Sequence, residues 1–185
     1  MNYALTNGII LDGTKQMQPQ KGLSVLVKDG KIIDLVPDTT DLSNYRVIDL
    51  HDRYLLPGLI NMHVHLAGSG KPQKKQRDNE KLVKTIMGSS LTRAVAYKMV
   101  AGFAKDELLG GVTTIRTVGG LGDFDTRLRD EIASGKKIGP RILASNQGIS
   151  VPGGHMAGSV AVAATDIPDA LRALERSEKE QVDLI

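Results

Sequence analysis

Short apolar stretches separated by turn signals fill the first fifty-odd residues, a pattern that predicts β-strands. The strand-like runs are Tyr3–Ile10, Leu23–Val27, Ile32–Val36 and Arg46–Leu50. An Asp-Gly pair at residues 29–30 separates two of these runs and is a strong hairpin signal. We therefore predict a small antiparallel sheet, which has too few strands to bury a large core by itself.

From Leu55 onward, short apolar strands alternate with helical stretches. Strands are predicted over Leu59–His65, Val112–Val118, Arg141–Ser145 and Val182–Ile185, and helices over Leu82–Leu109, Asp123–Ser134 and Ile167–Gln181. Strand–helix alternation of this kind implies a parallel sheet. It is compatible with an open doubly wound sheet or with half of a (β/α)8 barrel, since a complete barrel needs about 250 residues.

Local signals support the three helices. Apolar residues recur at helical spacing in the first helix and define its predicted apolar face, which consists of Val95, Met99, Phe103 and Leu109. Asp123 can cap the second helix, and Thr165 or Asp166 can cap the third, whose first turn contains Pro168. The sparse aromatic residues Tyr97, Phe103 and Phe124 are predicted to lie in the core.

Composition narrows the chemistry. The chain has 185 residues, a net charge of +3 and no cysteine, which excludes disulfides and thiolate metal sites. Its basic cluster, Lys71, Lys74, Lys75 and Arg77, has no interleaved aromatic residues and is predicted to be a solvated loop, so we expect no nucleic-acid partner. We find no apolar run of membrane-spanning length and no signal peptide, and we predict a cytoplasmic protein with no membrane partner.

Two histidines carry the strongest chemical signal. His63 and His65 are separated by one residue on a predicted strand, so their side chains are expected on the same face, close enough to bind one divalent cation. They lie at the carboxyl end of the strand, where active sites form in α/β folds. The alternative is a chance alternation, but buried imidazoles need polar partners, and a metal ion would supply one.

Three sequence segments together resemble one known family. Residues 56–65 read LPGLINMHVH, which closely resembles the PGxIDxHxH signature of the amidohydrolase superfamily. Residues 110–116, GGVTTIR, look like the second barrel strand of that superfamily. Residues 152–155, PGGH, are similar to its imidazolonepropionase-like and prolidase-like (Xaa-Pro dipeptidase-like) branch.

The resemblance implies a fold and a domain arrangement. Residues 1–55 would be the N-terminal part of a small β-sandwich domain, and residues 56–185 the first half, strands one to four, of a metal-dependent hydrolase (β/α)8 barrel. The fold class is therefore α/β. In relatives a carbamylated lysine follows the fourth strand, so we expect that Ile185 is not the biological C-terminus and that a carboxylated lysine follows it.

The resemblance also implies a site. His63 and His65 would bind the more buried of one or two divalent metal ions, with zinc favoured, and His155 would bind the substrate and act in catalysis by donating a hydrogen bond to its carbonyl oxygen. The other ligands and an aspartate general base would lie after Ile185. Two positions depart from the pattern, Asn61 and Thr117, where relatives often carry aspartate. Independently of the resemblance, an arginine on a barrel strand needs a partner, so Arg116 is predicted to form a buried structural ion pair, with a substrate contact as the alternative.

The predicted function is metal-assisted hydrolysis of an amide bond, in a dipeptide or an N-acyl amino acid. A cyclic amide or imidazolone substrate is the first alternative, and a non-catalytic barrel of the same fold is the second. The expected partners are a small-molecule or dipeptide substrate and, for assembly, further copies of the same chain.

Overall fold

A computed structural model describes residues 1–68, 70 and 78–185. The predicted basic cluster from Lys71 to Arg77 lies outside the described residues. The chain divides into two compact units, Met1–Pro57 and Gly58–Ile185. None of the helices in the described part of the chain is long and apolar enough to cross a membrane.

The first unit consists of six short strands. They are β1 (Asn2–Thr6), β2 (Ile9–Ile10), β3 (Leu23–Lys28), β4 (Lys31–Pro37), β5 (Arg46–Asp49) and β6 (Tyr54–Leu55). A four-stranded sheet has the order β4-β3-β1-β5, and β2 pairs with β6. The predicted hairpin is confirmed, because β3 and β4 pair in antiparallel fashion around residues 29 and 30, both of which have positive φ.

The prediction of a purely antiparallel sheet is wrong. Strand β5 pairs with β1 in parallel, and β2 pairs with β6 in parallel. The hairpin of β3 and β4 lies between β1 and β5 in sequence. After it, β5 pairs with the free edge of β1 and runs in the same direction as β1. Such long-range pairings leave no local sequence signal, whereas the hairpin turn does.

The second unit alternates strands and helices as predicted. Its elements are β7 (Leu59–Val64), α1 (Asn79–Met87), α2 (Ser90–Leu109), β8 (Val112–Thr117), α3 (Phe124–Ala133), β9 (Arg141–Leu143), β10 (Gly148–Ser150), β11 (Ala161–Ala163) and α4 (Ile167–Lys179). Strands β7, β8 and β9 form a parallel sheet in that order. Strands β10 and β11 form a separate parallel pair that was not predicted.

One apolar core lies between the parallel sheet and its helices. Ile115 of β8 is completely buried there with Val64, and Phe124 and Leu128 pack against them from α3. Tyr97 is also buried and its ring contacts Phe124 edge-on at 5.3 Å between centroids, while Phe103 packs at the border of this core. The prediction of the three aromatics as core residues is confirmed.

The first predicted helix is in fact two helices. Gly88 ends α1, and the Ser89 hydroxyl accepts a hydrogen bond from the Thr92 backbone N–H, which makes Ser89 the N-cap of α2. The predicted apolar face is also wrong, since Val95 and Met99 are each 55% exposed. The face of α2 that packs on the sheet consists of Ala96, Tyr97, Val100 and Ala104. Small residues allow this close approach, and a search for large apolar side chains does not reveal them.

The predicted fourth strand over Val182–Ile185 is absent from the described structure. Gln181 has a positive φ and turns the chain after α4. The Asp183 backbone N–H donates to the Ala144 carbonyl, but the Asp183 carboxylate, rather than a backbone carbonyl, accepts the Ala144 N–H. The Asp183 side chain therefore takes the acceptor position that a backbone carbonyl would have in a strand pairing. The cap and first turn of α4 are as predicted, with Asp166 as N-cap and proline in the first turn.

Candidate active site

The two paired histidines lie at the carboxyl end of β7. His63 is the penultimate residue of the strand, and His65 follows its last residue, so the predicted strand is one residue too long. Between Asn61 and Val64 the register with β8 shifts, so that three steps along β7 match two along β8. A shift of this kind changes the direction of the side chains. After it, Val64 points into the core, and the flanking histidines point to the opposite face.

The two imidazole rings are neighbours. Their centroids are 5.2 Å apart, and the ring planes meet at 74°. His63 is exposed and His65 is half-buried. The Asn61 carboxamide oxygen accepts a hydrogen bond of 3.2 Å from the His63 backbone N–H and so fixes the strand where the register shifts. The asparagine at this position thus supports the histidine through the backbone.

A backbone carbonyl orients the His65 ring. His65 Nδ1 lies 3.2 Å from the Gly119 carbonyl oxygen, and since a carbonyl can only accept, Nδ1 carries the proton. The Nε2 atom of His65 is thereby left with a lone pair for a cation. Gly119 has a φ of +134°, which L side chains rarely adopt, and a Cβ there would lie 3.3 Å from Nδ1. A glycine is required for this contact.

Buried hydroxyls hold Gly119 in place. The Gly119 N–H donates to the Ser145 hydroxyl at 2.9 Å. The Ser145 N–H in turn donates to the Thr117 hydroxyl at 3.0 Å. Thr117 is completely buried, and Ser145 nearly so. The threonine that departs from the family pattern is therefore part of the support beneath His65.

Asp125 is the buried carboxyl closest to this support. It is 1% exposed, and among the described residues its Oδ2 atom has no hydrogen-bond partner. Burial raises the pKa of Asp125 to about 6, while the Thr117 hydroxyl and the nearby His65 oppose that rise. Gly120 lies directly against the carboxyl, since a Cβ on Gly120 would be 2.5 Å from Oδ2.

Arg116 supports the strand that carries the histidines. Its Nε donates a hydrogen bond of 2.8 Å to the Met62 carbonyl, at the point where the β7 register shifts. Alternation along β8 places Arg116 opposite the buried Ile115 and Thr117, on the face of the sheet toward which His63 and His65 point. The contact is structural, as predicted, but the partner is a backbone carbonyl and not the carboxylate of an ion pair.

A cleft of about 530 Å³ lies beside the histidine pair. Its lining includes both imidazoles, the Asn61 side chain and, from the end of α2, Asp106 and Glu107. Within residues 1–68, 70 and 78–185, no group of three or more histidines, aspartates or glutamates is arranged to hold a metal ion. The two imidazoles suit zinc and other first-row cations by their donor chemistry. They fit as part of a metal site whose other ligands come from elsewhere.

His155 lies in the turn region between β10 and β11 and is exposed. In the part of the chain that the structure describes, no hydrogen bond joins its side chain to His63 or His65. Its role in substrate binding and catalysis remains a prediction.

Sequence reasoning missed the support under His65. Both glycines of the Gly119-Gly120 segment are tightly packed, and a glycine-rich loop sequence gives no sign of such packing. Asp125 belongs to a correctly predicted helix, but no role was predicted for it. A signal was present, because Asp125 precedes Leu128 by three residues and therefore shares the buried face of α3.

One family model matches more than half of the chain. The family model described as amidohydrolase family matches residues 54–183. Protein FwdA of Methanocaldococcus jannaschii is 38% identical over 69 residues, which are 37% of this chain and 11% of the relative. A dihydroorotase from Syntrophobacter fumaroxidans is 32% identical over 78 residues, which are 40% of this chain and 17% of the relative.

A solved structure matches almost the whole chain. A Bifidobacterium longum protein assigned as a prolidase superposes with a TM-score of 0.72 at 29% identity, covering 98% of this chain and 39% of its own. The chain thus spans less than half of that protein and less than a fifth of each of the two curated relatives. The mixed α/β fold of the chain, with its sheets and helices, matches that of the solved relative.

Proposed function

Because the chain belongs to the amidohydrolase family, we propose that it forms part of a metal-dependent hydrolase. The enzyme would cleave the amide bond of a dipeptide or an N-acyl amino acid with a metal-activated water. The observation that carries this proposal is the adjacent pair of imidazoles, one of which has its Nδ1–H bound to a backbone carbonyl. A preference for dipeptides is supported by the similarity to the Bifidobacterium longum protein assigned as a prolidase.

The same family membership supports a finer interpretation of the fold. We infer that Gly58–Ile185 is the first half of a (β/α)8 barrel and that Met1–Pro57 is part of a β-sandwich. The parallel order β7-β8-β9, with helices between the strands, is the order that consecutive barrel strands have. The histidines would then lie at the carboxyl end of the first barrel strand, where barrel enzymes carry out their chemistry.

Each of the site residues would have a distinct part in this chemistry. His63 and His65 would hold a divalent cation, and a cation bound there would lower the pKa of a water and polarise a carbonyl. The Gly119 carbonyl keeps the proton of His65 on Nδ1. His155 would donate a hydrogen bond to the carbonyl oxygen of the substrate as negative charge develops on it. The proposal requires further metal ligands and a general base that the described residues do not supply.

A dipeptide library tests the substrate class. The full-length protein, supplemented with zinc, is assayed against Xaa-Pro and related dipeptides and against N-acyl amino acids, and released amino acid is measured. Turnover that stops on chelation and returns with zinc supports the proposal. A folded, zinc-loaded protein that hydrolyses none of these compounds contradicts it.

A cyclic amide is the second candidate substrate, supported by the similarity to a dihydroorotase. Dihydroorotate, hydantoins and imidazolone propionate are assayed in parallel with the dipeptides. Ring opening without dipeptide hydrolysis would assign the enzyme to this class. A folded full-length protein that binds no divalent ion after zinc supplementation would instead indicate a non-catalytic member of the family.

A further inference from the structure

Asp125 is an unusual residue for an apolar core. A buried carboxyl oxygen without a partner destabilises a protein, and an apolar side chain of similar size would avoid that loss. Among the described residues, Asp125 Oδ2 is the one buried side-chain polar atom without a hydrogen-bond partner. The position therefore calls for an explanation other than core packing.

The surroundings of the carboxyl point toward the histidine pair. Its three terminal atoms would lie within 2.5–2.9 Å of a Cβ on Gly120, so the carboxyl fills the space that the missing side chain leaves. Gly120 follows Gly119, whose carbonyl accepts the His65 Nδ1–H. The Gly119 N–H donates a hydrogen bond to the Ser145 hydroxyl. The two-glycine segment is thus fixed at Gly119 by Ser145 and at Gly120 by Asp125.

We propose that Asp125 is a positioning residue for His65: by packing against Gly120 it fixes the Gly119 carbonyl, which keeps the His65 proton on Nδ1 and leaves Nε2 for a metal ion. This inference rests on the proposed function for its consequence in metal binding. The tautomer of His65 that it requires can be measured without metal. The contact depends on the shape of the carboxyl more than on its charge, so asparagine should replace it.

The first experiment measures the tautomer of His65. Histidine-selective ¹⁵N labelling of the metal-free full-length protein at pH 8 gives one imidazole pattern for each of its histidines, and His65→Gln identifies the pattern of His65. We expect the Nδ1–H form in the wild type and in Asp125→Asn, and a mixture of tautomers in Asp125→Ala. Asp123→Ala is the matched control, because Asp123 lies at the same end of α3 but pairs with Arg93 at the surface.

The second experiment measures zinc affinity by chelator competition. Loss of a group that orients a metal-binding histidine typically weakens binding by about 10- to 100-fold. We expect a loss of that size in Asp125→Ala, a change of less than about threefold in Asp125→Asn, and none in Asp123→Ala. Circular dichroism establishes that each variant is folded. If Asp125→Ala does not fold, the His65 tautomer and the zinc affinity of the single variant Gly120→Ala carry the test, and wild-type values of both would overturn the proposal.

A double-mutant cycle isolates the contact itself. Gly120 does not have a positive φ, and the three atoms that would lie nearest to an alanine methyl group there all belong to the Asp125 carboxyl. Gly120→Ala should weaken zinc binding about 10-fold or more in the wild type but less than about threefold in the Asp125→Ala background. Equal losses in the two backgrounds would overturn the proposal.

The outcomes separate this inference from the proposed function. If His63→Ala strips the metal while every folded Asp125 and Gly120 variant keeps wild-type affinity and tautomer, Asp125 has no positioning role and the proposed function stands. If the wild type binds no zinc, the proposed function fails, and the tautomer measurement still decides the role of Asp125. An unchanged His65 tautomer in Asp125→Ala would then overturn it.

Discussion

At the scale of single residues, the imidazole pair has the most direct consequence. Replacing His63 or His65 by alanine removes one of two neighbouring imidazole donors. Zinc affinity and kcat/KM should both fall by more than about 100-fold, since changes in groups that only orient a ligand already cost 10- to 100-fold. Metal analysis and steady-state kinetics measure the effect.

The control for the histidine variants is His51→Ala. His51 belongs to the first unit, is exposed and lies 3.4 Å from the Asp49 carboxylate. It should leave metal content and rate unchanged. A His63→Ala protein with full zinc content and wild-type rate would refute the assignment of the pair.

His155 should behave differently from the metal pair. Its replacement by alanine is expected to leave zinc content unchanged and to lower kcat/KM by roughly 10²- to 10³-fold, the range for loss of one donor to a developing oxyanion. Its side chain is exposed, so the substitution should leave the fold intact. A wild-type rate in the variant would mean that His155 is a surface residue without a catalytic role.

The Asp125 carboxyl should make stability depend on pH. Its pKa is about 6 in the folded chain against the ordinary value of 3.8, because burial disfavours the charged form. The folded state therefore holds the proton more tightly, and the free energy of unfolding falls as pH rises from about 4 to about 6. The loss is bounded by roughly 3 kcal/mol, at 1.36 kcal/mol per pH unit.

Asp125→Asn tests this pH dependence because asparagine does not ionise. Relative to the wild type, the variant should gain stability steadily between pH 4 and pH 7, as measured by urea unfolding. Asp123→Asn, at an exposed position, should follow the wild-type profile. Profiles of wild type and Asp125→Asn that stay parallel across this range would contradict the assignment of the raised pKa.

Among the site residues, the local sequence was enough to predict the histidine pair but not the contact between Asp125 and Gly120. The proximity of the His63 and His65 rings was predictable because an i, i+2 pair on a strand shares a face. Asp125 and Gly120 were missed because their contact joins a loop to a helix, and neither residue type is chemically unusual there. Only the three-dimensional structure brings the carboxyl into the space left by the glycine.

At the scale of elements, boundaries with local chemical causes were predictable. The Asp-Gly hairpin and the Asp166 cap of α4 were identified correctly. The break between α1 and α2 had a visible signal in Gly88 and Ser89, but the continuous apolar pattern concealed it. The register shift in β7 had none, because it depends on pairing with β8.

The register shift itself can be tested through Arg116. Arg116→Met removes the hydrogen bond to the Met62 carbonyl while keeping most of the side-chain length. We expect a loss of about 1 kcal/mol in the free energy of unfolding, the usual net contribution of one hydrogen bond, together with weaker zinc binding. Arg141→Met on β9 is the control, since no side-chain hydrogen bond of Arg141 occurs within the described ranges. An Arg116 variant with wild-type stability and affinity would show that the strand keeps its shape without the bond.

At the scale of the whole molecule, the parallel order of the central sheet was predictable from strand–helix alternation, whereas the parallel pairings in the first unit were not. Alternation is a local pattern that constrains topology through the crossover helix. The pairing of β1 with β5 requires residues about forty positions apart to meet, and nothing in either strand specifies its partner. Fold class was therefore accessible from the sequence, and complete topology was not.

Metal binding should be visible in the stability of the full-length protein. A cation that binds only the folded state stabilises it by about 2.7 kcal/mol at a free concentration 100 times its Kd. Each kcal/mol raises Tm by about 2–4 °C for a domain of 150–250 residues and by less for a longer protein, so zinc should raise Tm of the wild type by a few degrees. The His63→Ala/His65→Ala double variant should lose this increase while its metal-free Tm changes little, because His63 is exposed and His65 is half-buried. Thermal unfolding with and without a chelator measures both values. An equal zinc-dependent shift in the double variant would place the cation elsewhere in the protein, and the histidine pair would not be the metal site.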